Sequence, residues 1–416
     1  MSCAPIYGSG SITDDNLRGD FSSPLVLGIF GSIGVGCLLL LGFQKIPYSM
    51  VYFVVAVKIV VPFGLGCWIY SVAGACVDQD CFNDNDGCTA GTKKVCGSPT
   101  PAYVFFAISA FVALVAWWYR DVLKLVAKLF QVSSIALTKN WQLLPFGAVL
   151  AVTKLALLIG MWSLLLFGVL TMDIKPNPAG VAGDVDFNCY PDLQSHVGMY
   201  VSFAMFAMGW FSFWALETRN FIVADTIGAW YWHGTKGASV LRATKHAFCS
   251  HFGSMALAGA VMWFCEYLKS KAKYRGANPA LCFLKACAMC ILSYLEFLCK
   301  MGVVVVAITG QPFMTSGKQV VQLFTASFGN MKASTGVWIF PGRILGTFVG
   351  LLSLAGAAAS GYLMYTIIDT QGNDSCGKAQ VPLYFGLIIG VVVLFLMLFL
   401  LGYFASILLT VIDTVQ

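Results

Sequence analysis

Nine stretches of this chain are long and apolar enough to cross a lipid bilayer, and they leave little sequence for anything else. A helix needs about 20 apolar residues to traverse the hydrocarbon. The candidates are 23–43, 48–72, 102–119, 143–172, 197–216, 246–267, 280–308, 344–368 and 382–411. Lipid offers no partner for an open sheet edge, and no alternating ten-residue pattern suggests a barrel. The sequence therefore predicts an all-α fold, a polytopic transmembrane helical bundle with about nine crossings. A polar N-terminal segment, 1–22, precedes a single transmembrane domain over 23–416. Composition agrees: 58% of residues are hydrophobic and 11% charged, against about 25% charged in a soluble domain. The net charge of +6 is spread thinly, with no basic run interleaved with aromatics, which argues against a nucleic-acid partner.

The first twenty residues include Asp14, Asp15, Arg18 and Asp20 and lack the basic start and short apolar core of a secretory signal. Either the first apolar segment serves as its own membrane signal or the natural chain begins further upstream.

Loop charges set an orientation. Residues 119–140 carry Arg120, Lys124, Lys128 and Lys139 against Asp121, and read as an amphipathic cytosolic helix with Val122, Leu125, Val126, Leu129 and Phe130 on one side. Residues 218–245 carry Arg219, Lys236, Arg242 and Lys245, so both segments face the cytosol by the positive-inside rule. The loops 73–101 and 173–196 then lie outside. Lys269, Lys271, Lys273 and Arg275 break the pattern, because the count puts them outside as well. Either 221–232 is re-entrant or one segment crosses incompletely.

Cys76, Cys81, Cys88 and Cys96 crowd the outer loop 73–101. Two disulfides are expected there, with three connectivities open. The rival is a zinc site, which spacings of five, seven and eight do not suit. Asn373-Asp374-Ser375 is a glycosylation triplet in another outer loop. Cys287 and Cys290 sit in an apolar helix and read as small buried packing residues or as palmitoylation sites near the interface.

No catalytic motif is present: no HExxH, no Walker loop, no GxSxG, and only four histidines. The chain is expected to be no enzyme and to need no metal or cofactor. Intramembrane charges are more telling because burying them is costly. Lys58 and Lys154 lie well inside their segments; a role in a substrate path and a structural or snorkelling role both stay open. Glu266, Lys285, Glu296 and Lys300, nearer segment ends, read as structural ion pairs inside the bundle or as side chains snorkelling toward an interface. Aromatic side chains are the second signal. Trp210, Phe211, Phe213 and Trp214 share one segment, Trp230, Tyr231 and Trp232 follow, and Trp162 precedes. Ring faces bind a quaternary ammonium, at roughly 0.5–2 kcal/mol each; an interfacial aromatic belt is the plain alternative. Gly342, Gly346 and Gly350 form a bare helix stripe that predicts close packing.

Four motifs in order resemble the choline transporter-like family. They are Phe221-Ile222-Val223-Ala224 leading to Trp230-Tyr231-Trp232, then His251-Phe252-Gly253-Ser254, then Ala307-Ile308-Thr309-Gly310 with Phe313, and Val411-Ile412-Asp413-Thr414 near the end. The resemblance covers roughly 48 to the C-terminus. It implies a ten-helix bundle that transports choline or ethanolamine. The family's first helix and long outer loop have no counterpart here, so the chain reads as a divergent member. Asp225 stands where the family usually has a small residue. The candidate substrate site is Trp162, Trp210, Trp214 and Tyr231, with Glu217 or Asp225 supplying negative potential. The partners expected are the lipid bilayer and a small organic cation. A non-transporting structural or accessory subunit, with other membrane subunits as partners, is the second reading.

Overall fold

A computed structural model describes residues 14–73, 76–80, 92–96, 100–170, 173–176, 189–192, 195–234, 238–273, 279–327, 331–371 and 380–415. Helices dominate it: α1 (Asp14–Lys45), α2 (Pro47–Ala73), α3 (Thr100–Trp118), α4 (Arg120–Lys139), α5 (Leu143–Leu170), α6 (Ser195–His233), α7 (Val240–Lys245), α8 (Phe252–Lys273), α9 (Pro279–Thr309), α10 (Phe313–Ser327), α11 (Met331–Gln371) and α12 (Gln380–Val415). Eight are long and apolar enough to cross a membrane, and the count reaches nine if a bent pair is one broken span. The all-α bundle expected from the sequence is borne out. The protein is an integral, multi-pass membrane protein.

Short strands occur only outside the spans among the described residues. β1 (Cys76–Asp80) pairs antiparallel with β2 (Thr92–Cys96), and β3 (Asp173–Pro176) with β4 (Cys189–Asp192). Both hairpins fall in the loops assigned to the outer side. The first register sets the backbone of Cys76 opposite that of Cys96. Cys81, Cys88 and the Asn373 triplet lie outside the described residues.

By its internal contacts the chain forms two compact units. One comprises α1–α3, most of α4, α11 and nearly all of α12; the other comprises the end of α4, α5–α10 and the last residues of α12. In the first unit the core is aliphatic and methionine-rich: Val349, Met364, Ile389, Val393, Met397 and Leu401. Glycines permit it. A Cβ at Gly361 would stand 2.9 Å from the Gly386 carbonyl oxygen, and one at Gly356 would strike the Met397 sulfur. The helices approach here, and not at the stripe expected from the sequence. Gly346 and Gly350 face open space, and Gly342 meets only a Leu409 methyl at 4.0 Å. Four-residue spacing marks a bare face; it does not say which neighbour covers it.

α4 is the amphipathic helix expected over 119–140. Its buried face is Val122, Leu123, Val126, Ala127, Phe130, Ala136 and Leu137. Leu125 is 43% exposed, a correction to the expected face, because Leu123 and Ala127 rotate the apolar stripe away from it. Phe130 stacks on Phe43 at 4.5 Å. A second amphipathic helix, α10, was missed; it buries Phe313, Ser316 and Val320.

The second unit is organised by α6. Its 39 residues extend about 58 Å at 1.5 Å per residue, well beyond the hydrocarbon. It runs unbroken through 221–232, so that stretch is not re-entrant. Phe221, Ile222, Val223 and Ala224 are all buried, which requires protein on every side. Gly234, at φ 69°, ends α6 with its N–H on the Trp230 carbonyl, and Gly310, at φ 68°, ends α9 on Val306. Left-handed backbone suits glycine, which explains Gly310 in the third motif. The break falls instead after α7. A π-turn, His246–Ser250, precedes His251, and the axis bends by 79° into α8. Lys269, Lys271 and Lys273 belong to α8 and not to a free loop.

Candidate functional site

Two reciprocal close approaches lock α6 to α8. Gly259 of α8 lies against the Trp214 backbone, where a Cβ would meet the Trp214 nitrogen at 2.6 Å. Gly209 of α6 accepts the Trp263 indole in the same way. Trp263 in turn packs edge-on against Phe206 at 4.5 Å and stacks on Tyr267 at 5.4 Å. The sequence reading missed Trp263 and Tyr267. The spacing Gly259, Trp263, Tyr267 puts all three on one helical face, a signal that was present.

Trp210, Trp214 and Glu217 occupy successive turns of one face of α6. The Trp210 indole donates to the Ala256 carbonyl at 2.9 Å, so it is fixed against α8. Trp214 sits among Phe211, Phe248 and Phe252, with ring centroids 5.5–6.0 Å away. Its indole N–H is buried and has no partner among the described residues. Glu217 is fully buried. Its Oε2 accepts from Asn220 Nδ2 at 3.3 Å, while Oε1 has no partner among the described residues. Asn220 Oδ1 accepts from Thr410 at 3.3 Å, which ties this turn to the last turns of α12.

A buried polar group without a hydrogen bond costs about 1–3 kcal/mol, and a charged one more. Here a donor and an acceptor, both unspent, lie one turn apart. The charges felt by Glu217 are Lys300, Arg219 and Glu296. Lys300 is shared with Glu296, which also pairs with Lys269; Lys269 pairs with Glu266 at 2.9 Å. Glu266, Glu296 and Lys300 are thus in ion pairs, one of the two readings open for them, and Lys269 loses its anomaly by joining them.

The other expected site residues are dispersed. Trp162, on α5, is 50% exposed and makes no ring contact among the described residues. The α5–α6 register explains this: Tyr200 packs on Gly168 and donates to the Leu164 carbonyl at 3.0 Å, which sets Trp162 nearer 204 than 210 in an antiparallel pair. Asp225 is two turns below Glu217, with Oδ2 3.2 Å from His246 Nδ1 at the π-turn. Tyr231 is 59% exposed and touches Trp232. Lys154 is half-buried, with Arg219 its charged neighbour and no ion pair among the described residues. Lys58, in the first unit, donates to the Arg343 carbonyl at 3.3 Å. Among the described residues no group of three His, Cys, Asp or Glu side chains could hold a metal.

A multi-pass helical bundle with unspent polar atoms and a chain of ion pairs among its helices defines the class as a polytopic membrane protein. The model of the family described as plasma-membrane choline transporter matches residues 103–416, and the chain belongs to that family. The match is narrower than the expected start near 48. Choline transporter-like protein 1 of Caenorhabditis briggsae is 24% identical over 168 residues, 36% of this chain and 21% of that protein. The Caenorhabditis elegans protein of the same name is 24% identical over 168 residues, 36% and 22%. Choline transporter-like protein 4 of Bos taurus is 24% identical over 165 residues, 34% and 23%. The matched stretch spans less than a quarter of each relative.

Proposed function

We propose that this protein carries a choline-like organic cation across the membrane, and that the cation rests on α6 between Trp214 and Glu217. The observation behind this reading is the pair of unspent groups. Choline has two features: a quaternary ammonium, which needs negative charge and ring faces and donates no N–H bond, and a hydroxyl, which both accepts and donates. Glu217 offers the charge. Trp210 and Trp214 offer ring faces, worth roughly 0.5–2 kcal/mol each. The Trp214 indole N–H offers a donor to the hydroxyl. Such contacts are individually modest, so release is not forbidden by tight binding. Trp162 and Tyr231 stand too far along their helices to share this position and would act elsewhere on the path. Asp225 lends negative potential from two turns below on α6, where its carboxylate faces His246 of the π-turn.

Membership of a choline transporter family supports this substrate class; ethanolamine, whose ammonium does donate N–H bonds, would engage Glu217 directly and is the close variant of the same reading. The test is choline uptake into proteoliposomes by the parent chain and by Trp210→Leu/Trp214→Leu, which keeps bulk and removes the ring quadrupole. Uptake by the parent and at least tenfold less by the correctly inserted double variant is expected, from two lost ring contacts. Equal uptake sinks the site. No binding or uptake by the parent returns the structural-subunit reading.

A further inference from the structure

The turn between α4 and α5 encloses a polar cavity of about 120 Å³. One water needs only about 10–15 Å³ on this measure, so the space admits a larger polar group. Lys139, Asn140, Trp141, Gln142, Thr226 and Val240 line it, and no carboxylate does. Two of the polar side chains are part of the built interior: Thr226 is 2% exposed and Asn140 9%. Each is held by a backbone carbonyl, Thr226 by Ile222 at 2.8 Å and Asn140 Nδ2 by Ala136 at 2.9 Å. The second Asn140 amide hydrogen, the Gln142 amide and the Lys139 ammonium remain. Lys139 makes no ion pair among the described residues, and the N–H groups of Trp141 and Gln142 have no backbone acceptor among them. The lining is therefore rich in donors and carries one positive charge and no negative one.

Its depth is set by what flanks it. Leu143, the residue after Gln142, opens the spanning part of α5. Trp141 is 64% exposed, as an indole at a headgroup boundary would be. Basic pockets at this level on the cytosolic side hold lipid headgroups. We propose that this cavity is an anion site that holds the phosphate of a membrane-lipid headgroup. The site is independent of the proposed cation position, which it neither requires nor supports.

The full chain, purified in detergent, can be titrated with phosphatidic acid and followed by native mass spectrometry. The parent should retain one lipid more tightly, by about tenfold, than Lys139→Gln or Gln142→Ala, the scale of one charge-assisted contact. Lys128→Gln, an exposed lysine elsewhere on α4, should bind like the parent. Retention against millimolar inorganic phosphate supports the lipid. Displacement of the lipid by phosphate, with thermal stabilisation by phosphate in the parent but not in Lys139→Gln, keeps the anion site and overturns its lipid assignment. Equal lipid retention by the parent, Lys139→Gln and Gln142→Ala overturns the site, as does an equal loss in Lys128→Gln.

Discussion

The two compact units solve the problem of packing helices in lipid by opposite means. In the first, α11 meets α12 through glycine, with Gly361 and Gly386 each against the other's backbone, and the core around Met397 and Val393 has no charge in it. In the second, glycines also bring α6 to α8, but beyond them lie buried Glu217 and partly buried Asn220, Glu296, Lys300 and Lys269. Lipid gives apolar helices no reason to associate except close fit, so the first solution is economical. Buried charge stabilises little compared with apolar packing of the same volume. Among the described residues the buried charged side chain, Glu217, lies in the second unit, which points to work done there.

The comparison can be broken at the glycines first. Gly361→Leu must push a side chain into a backbone carbonyl, and overpacking of this kind costs about 3 kcal/mol or more; the detergent-purified variant should aggregate or melt far below the parent in a thermal-stability assay. Gly346→Leu, on the stripe that faces open space, should melt with the parent. If both variants melt alike, close glycine contact is not what holds α11.

Charge offers the next test. Lys269→Met leaves Glu266 and Glu296 without their shared cation and should cost about 2 kcal/mol, less than a fully buried bridge because both partners are partly solvated. Adding Glu296→Gln should restore much of that loss. Failure of the double variant to recover would mean that Lys269 acts by packing and not by charge. The smallest effect belongs to the first unit: Lys58→Met should shift stability by no more than about 0.5 kcal/mol, since the ammonium meets only one carbonyl and is partly exposed.

Most of the fold was legible because hydrocarbon thickness and backbone satisfaction leave few choices. Among the described residues all nine apolar stretches fall on helices, with 246–267 broken at His251, and α4 is recognisable from its periodicity. What was not legible depended on partners. Gly342, Gly346 and Gly350 carry a packing pattern, yet Gly356, Gly361, Gly386 and Gly390 make the contacts, because only the tertiary arrangement decides which bare face meets another. Of the two explanations open for the misplaced basic residues, re-entry at 221–232 does not occur; the break comes at His246–Ser250, where no proline or glycine announces it. At the candidate site, Trp210, Trp214 and Glu217 were readable from their spacing on one helix. Asn220 and Thr410 were not, since 190 residues separate them. Trp162 joins the candidate site because it lies in the preceding antiparallel segment, and the Tyr200–Gly168 contact sets the register that separates it from Trp210.

The central claim, that Glu217 supplies the charge for a choline-like cation, is tested most directly by comparing choline with 3,3-dimethylbutanol, its uncharged isostere, in equilibrium binding to the purified parent and to Glu217→Gln. The account predicts that the parent prefers choline by at least about tenfold, the scale of one charge-assisted contact, and that Glu217→Gln, still folded, binds the two alike. A variant that keeps the full preference for choline would contradict it.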